Sequence, residues 1–215
     1  MLYNKFMSNE SNLSNIVIQQ LSPNDNFAQI ADTLYLIDQY IFPDLFGDPD
    51  QAKIFAKPLF SDDPNALFSY SKTLVAKNSD GYAVRIAVYR DENCSPWDTE
   101  TVKQRFEATG VELSKNFERA SEKYMRKITD AKLPQGAVEI EFVGVHDDYR
   151  VQGIGSKLIH TIIDDPKYTE AHLDVLDSHP IAHQVYVKLG FQPVGAKFPN
   201  YPDGTEGVQH MVLKK

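Results

Sequence analysis

The chain has 215 residues, 42% hydrophobic and 24% charged, an ordinary globular composition and enough length to bury a core without a metal or disulfide staple. Lys and Arg number 22 against 30 Asp and Glu, and the net charge of −8 argues against nucleic-acid binding, which calls for a basic face. The lone cysteine, Cys94, excludes an internal disulfide and sits in a turn-like stretch with no nearby histidine, so it reads as a bystander thiol.

Residues 1–15 are polar and rich in Asn and Ser, without the apolar run of a signal peptide. No stretch approaches the ~18 apolar residues of a membrane span. The expectation is a cytoplasmic protein with no membrane partner, built as a polar tail (1–15) and a single domain (16–215).

Ile16 to Leu21 reads as a first strand, ended by Ser22-Pro23-Asn24-Asp25. Phe27, Ile30, Ala31, Leu34, Ile37 and Ile41 recur at helical spacing, so a helix is expected over Phe27 to Tyr40, broken by Pro43, Gly47 and Pro49. A short helix follows from Pro49 to Lys57, with Pro58 as its stop. Lys72–Lys77 and Tyr82–Tyr89 are strand-like, and Asp80-Gly81 between them signals a hairpin.

The segment 91–136 reads as a helical insertion. Val102, Phe106, Leu113, Phe117, Ala120, Tyr124 and Ile128 form an apolar stripe, interrupted at Gly110, since glycine costs about 1 kcal/mol inside a helix. The stripe could pack on the domain's own sheet, cover a substrate as a lid, or make a homodimer contact.

Ala137 to Val145 is a strand, His146 to Gln152 a polar loop, and Gly153-Ile154-Gly155 opens a helix whose Ile154, Leu158, Ile159, Ile162 and Ile163 share a face. Strand, glycine loop and helix in that order make an anion site. The first helical N–H groups lack partners, the helix dipole adds positive charge, and glycines let a phosphate reach the backbone. The nucleotide P-loop pattern fails, because Arg150 stands at its first glycine and Gly155 is followed by Ser156-Lys157. The dinucleotide pattern fails because Leu158 holds the place of its third glycine.

Arg150, Gly153 and Gly155 instead resemble the cofactor loop of the GNAT family of N-acetyltransferases, Arg/Gln-x-x-Gly-x-Gly/Ala. Downstream, Ala171 to Asp177 alternates as a strand, Pro180 suits a first helical turn, and Gly190 suits the left-handed position after a helix. Ala182, Tyr186, Gly190 and Phe191 match the spacing of the family's second motif, with His179 where asparagine is usual. The resemblance covers about Val138 to Phe191, plus a last strand at Val208 to Leu213. It implies an α/β fold with a mixed, mostly antiparallel central sheet, flanking helices, and the insertion placed before the cofactor-binding strand.

It also implies an acetyl-CoA-dependent enzyme that passes acetyl directly to a primary amine of a small molecule or peptide. The backbone of Val143 and Val145, the run Arg150, Val151, Gln152, Gly153, Ile154, Gly155 and Ser156, and His179 and Tyr186 would hold coenzyme A. Tyr186 would assist the departing thiolate, although it also reads as core packing. For a base, Glu141 and Glu139 occupy positions used by different branches of the family, and Asp174 resembles a third. Each carboxylate also reads as simply paired or solvated. On a regular strand Glu139 and Glu141 share a face with Val143 and Val145. His179 and His183 lie four apart without a third ligand, so no metal is expected. The alternative from another class is a catalytically silent acyl-CoA-binding or sensing module.

Overall fold

A computed structural model describes residues 16–38, 40–110, 113–145, 153–199 and 207–215. The strands are β1 (Val17–Gln20), β2 (Thr73–Lys77), β3 (Ala83–Asp91), β4 (Ala137–Val145), β5 (Glu170–Leu176), β6 (Gln192–Pro193), β7 (Phe198–Pro199) and β8 (Gly207–Lys214). They form one sheet in the order β1-β2-β3-β4-β5-β8-β6, with β7 also on β8. Every pairing is antiparallel except β4 with β5. The expected mixed, mostly antiparallel α/β architecture is what the chain adopts.

Helices α1 (Phe27–Ile37), α2 (Ile41–Phe46), α3 (Pro49–Leu59) and α4 (Thr99–Glu107) lie on one side. The insertion continues as α5 (Phe117–Ala120), a π-helical turn (Ser121–Met125) and α6 (Arg126–Asp130). Three of these helices start on side-chain caps: Asn26, Asp48 and Asp98 each accept two first-turn N–H groups. This side buries an aromatic core in which Phe42, Phe46, Phe55, Phe68, Phe106 and Phe117 are almost fully excluded from solvent. On the other face, α7 (Ile154–Ile163) lays the predicted Ile154, Leu158, Ile159, Ile162 and Ile163 into a second core with Phe191 and Met211. Helix α8 (Pro180–Lys188) follows β5.

Three boundaries differ from the sequence reading. The first helix ends at Ile37, and a separate α2 runs through Pro43. A proline in the first turn costs no hydrogen bond, because its N–H would have had no intrahelical partner. The Pro49 helix does not stop at Lys57 but includes Pro58 in its last turn. Pro58 is buried there and only one bond is lost before the chain turns extended at Phe60. The 78–82 turn closes as expected, with Gly81 at φ 77° and the Asn78 side chain accepting from the Asp80 and Tyr82 N–H groups.

The stripe of the insertion joins the first core. Phe106 packs between Phe55 of α3 and Phe117 of α5, with ring centroids 5.3 Å away on each side. It therefore joins α2 and α3 in the core that covers this face of the sheet. Arg90 of β3 donates from Nη1 to the Ala131 carbonyl at 2.7 Å, which ties the end of the insertion to the sheet.

Candidate active site

The site is framed by a fork in the sheet. β4 and β5 pair only over Ala137–Ile140 and Glu170–Leu173. Beyond that point β4 follows β3 and β5 follows β8, so the facing edges of residues 141–145 and 174–176 are left open to each other. Open strand edges carry N–H and C=O groups that need partners, and an extended ligand can supply them.

At the end of the long arm of the fork stands the start of α7. Gly153 is its N-cap in the left-handed region, φ 73°, and a Cβ there would meet nothing within 4 Å. The first intrahelical bond in this turn runs from the Lys157 N–H to the Gly153 carbonyl, so the N–H groups of Ile154, Gly155 and Ser156 precede the helical ladder. Gly155 is buried against Arg85 of β3, whose Nη1 lies 2.5 Å from where a Cβ would be. A guanidinium therefore sits under a helix end that is already electropositive. Arg150, Val151 and Gln152 lie outside the described residues.

A β-bulge sets which side chains enter the fork. Val88 pairs with Phe142 but Tyr89 pairs with Ile140, which leaves Glu141 as the extra residue on β4. Val138 and Ile140 face the second core, Phe142 faces the first, and Val143 returns to the second. Glu139 and Glu141 do share a side, as expected, but Val143 is opposite to them. The strict alternation assumed from sequence breaks at the bulge.

Both carboxylates are held by Arg90, which is only 3% exposed. Its Nε donates to Glu141 Oε1 at 2.5 Å and its Nη2 donates to Glu139 Oε2. Burial, and then the neighbouring Glu139 charge, raise the Glu141 carboxyl well above the usual range, against the opposing pull of Arg90. Glu141 is thus a structural partner of a buried guanidinium rather than a base facing solvent.

Asp174 of β5 is the first residue past the paired stretch and stands exposed at the mouth of the fork. His210 of β8 is opposite it in register, and its Nδ1 lies 2.7 Å from Asp174 Oδ1. Glu139, Asp174 and His210 each bring one side-chain donor atom within 4.8 Å of the others. The sequence could not announce this group, because its members come from three strands and β8 follows β5 only after a helix and two short strands. His172 and His210 were missed altogether; their one signal was the alternation that sets His172 and Asp174 apart from Ala171, Leu173 and Val175.

Tyr186 of α8 is half-buried against the second core, its ring 6.2 Å from that of Phe191, and burial pushes its hydroxyl up to about 12. Its ring takes the core-packing place that one of the two sequence readings gave it. His179 is exposed at the start of α8 and its side chain makes no cap bond. Cys94 is partly buried, and desolvation raises its thiol to about 11, which disfavours the nucleophilic thiolate.

The model of the acetyltransferase (GNAT) family matches residues 113–191, from inside the insertion through β4, α7, β5 and α8. No curated protein matches the sequence. Among solved structures, an acetyltransferase superposes with a TM-score of 0.66 at 18% identity, over 92% of this chain and 98% of that one. The N-acetyltransferase from Staphylococcus aureus Mu50 gives 0.62 at 17% identity, over 92% and 100%. A GNAT family acetyltransferase from Elizabethkingia anophelis, solved with acetyl-CoA bound, gives 0.52 at 16% identity, over 94% and 99%. The matched segment and the fold together define an acyltransferase. Within that class, residues 113–191 carry the match to the GNAT acetyltransferase family. No helix among the described residues is long and apolar enough to cross a membrane.

Proposed function

We propose that the protein transfers acetyl from acetyl-CoA to a primary amine. The observation that carries this reading is the fork between β4 and β5, with the Gly153 helix start at the end of its long arm. The open β4 edge suits an extended pantetheine chain, and Val143 and Val145 supply backbone groups along it. The first-turn amides of α7, with the Arg85 charge beneath them, suit a pyrophosphate. The similar Elizabethkingia protein holds acetyl-CoA, which supports the choice of donor.

The transfer needs three services from the protein. The amine, a cation with a pKa of about 10.4 when lysine-like, must lose a proton before its lone pair attacks the thioester carbon. A β4 backbone N–H at the fork serves the carbonyl oxygen as negative charge gathers on it. As the C–S bond breaks, the electron pair leaves on sulfur, and the Tyr186 hydroxyl supports that thiolate by hydrogen bonding. With a pKa of about 12, Tyr186 is a weaker acid than a thiol near 8.5, so it assists by donating a hydrogen bond rather than by giving up its proton.

The test is thiol release from acetyl-CoA in the presence of polyamines, aminoglycosides, amino acids and peptide N-termini. Amine-dependent release is expected from the wild type. Gly153→Glu is expected to abolish acetyl-CoA binding in calorimetry, because it adds bulk and negative charge where a phosphate sits and forces a non-glycine residue to φ 73°. Binding that survives this change unaltered removes the phosphate role of the helix start. Tight binding without thiol release to any amine favours a silent acyl-CoA module.

A further inference from the structure

Four groups on the open face of β5 and β8 form one hydrogen-bonded chain. Glu170 Oε1 lies 3.1 Å from His172 Nε2, His172 Nδ1 lies 3.1 Å from His210 Nε2, and His210 Nδ1 lies 2.7 Å from Asp174 Oδ1. The side chains of His172 and Glu170 are largely buried at 12% and 20% exposure, whereas His210 and Asp174 open toward the fork at 30% and 46%. A carboxylate–imidazole–imidazole–carboxylate chain has three links and each link needs a proton. Two neutral rings bring two protons. The chain is complete only when the ring pair takes up one more and carries a single positive charge. Its chemistry is therefore that of a proton acceptor, with an exposed end at the place where the β4 and β5 edges part.

We infer that His210 is the general base that deprotonates the acceptor amine, with Asp174 positioning its ring and relaying the proton from the fork, and His172 and Glu170 stabilising the charged ring by the hydrogen bonds behind it. The inference rests on the amine-transfer reading above and names the base within it. One N–H bond of the ammonium breaks, its electron pair stays on nitrogen for attack on the thioester, and the proton passes through the exposed Asp174 carboxylate to form a new N–H bond at His210 Nδ1, the His210 Nε2–H already donating to His172 Nδ1. The ammonium itself suits the spot. Glu139, Glu170 and Asp174 add negative charge around the rings, while the Arg90 guanidinium behind Glu139 is already engaged by Glu139 and Glu141. Those two bonds are also why neither β4 glutamate takes this part.

The titratable groups facing His210 are Asp174 and His172 from β5 and Glu139 from β4, with Glu170 reached through His172. The hydrogen bond to Asp174 raises the His210 pKa, against the effect of burial. A base must be neutral, so kcat/KM is expected to rise as pH increases through that raised value. In Asp174→Asn the raising bond is weakened, and the ascending limb is expected to move to lower pH. In His210→Gln it is expected to disappear, with kcat falling about 100-fold or more, the size of a lost general base. Acetyl-CoA affinity, measured by calorimetry, is expected to stay within about twofold in both variants, and circular dichroism reports that each is folded.

If His210→Gln and Asp174→Asn both keep the wild-type pH profile and turnover, His210 is not the base. Tight binding of Zn²⁺ that is lost in His210→Gln, with transfer that depends on the added metal, would make the Glu139–Asp174–His210 group a metal centre and overturn the inference. A wild type that binds acetyl-CoA but acetylates no amine refutes the transfer reading itself and takes this inference with it. That result is recognised before any variant is made.

Discussion

Glu141 shows how position along a strand and chemical environment can point to different residues. Its place four before Val145 marks it as a base, yet its carboxylate accepts from Arg90 Nε and its side chain is only 10% exposed. Two buried carboxylates share one guanidinium, and burial together with Glu139 works against ionising Glu141. Replacing Glu141 by Gln keeps an oxygen that can accept from Arg90 and removes the repulsion with Glu139. The expected outcome for Glu141→Gln is an unchanged or higher melting temperature, with kcat within a few-fold of wild type. Thermal denaturation and steady-state kinetics check this. A fall in kcat of about 100-fold with the fold intact would return the role of base to Glu141. The same logic separates Asp174 from the glutamates, since it alone stands exposed at the fork mouth.

At the scale of elements, α1 and β4 meet through a missing side chain. A Cβ on Gly144 would overlap Ile37 Cγ1 and approach Thr33 Cγ2 to 3.0 Å. Both neighbours belong to α1; Thr33 is buried, and the partly buried Ile37 side chain would have to turn out of its contact with the core. Gly144→Ala is expected to lower unfolding stability by about 1–3 kcal/mol, the usual cost of overpacking. Urea denaturation followed by circular dichroism measures it, and a stability equal to wild type would mean that α1 rides freely over β4. The glycine was visible within the sequence as part of a strand, but its reason was not, because α1 is more than a hundred residues away in the chain. The same distance explains what could and could not be read elsewhere. Gly153, Gly155 and the apolar face of α7 were legible because a helix start and its stripe are local. The bulge at Glu141 was not, because it exists only in the pairing of β4 with β3. The His172–His210 contact was not, because it depends on a strand that returns after α8.

Across the whole molecule, the sheet separates two cores, and the insertion has joined one of them. The carrier of the recognisable motifs, 113–191, is little more than a third of the chain, yet the structural likeness runs over at least 92% of it. The rest of the chain therefore shares the fold without sharing the matched sequence pattern. Phe106 tests whether the insertion belongs to the packed core. It is fully excluded from solvent and is flanked by Phe55 of α3 and Phe117 of α5, while Arg105 Nη1 donates to the Phe60 carbonyl beside it. A lid that opens for substrate carries few buried contacts and sits at the low end of local stability. An aromatic clamp of this kind instead couples the insertion to α3 and through it to the sheet. Phe106→Ala is expected to cost about 3–5 kcal/mol, the range for emptying a buried phenylalanine site, and to shift one unfolding transition as a whole. Differential scanning calorimetry distinguishes the cases. If the main transition keeps its wild-type midpoint while a smaller one appears below it, the insertion unfolds by itself and is a lid after all. A single lowered transition means that the insertion is core, fixed also at its end, where Ala131 receives the Arg90 hydrogen bond.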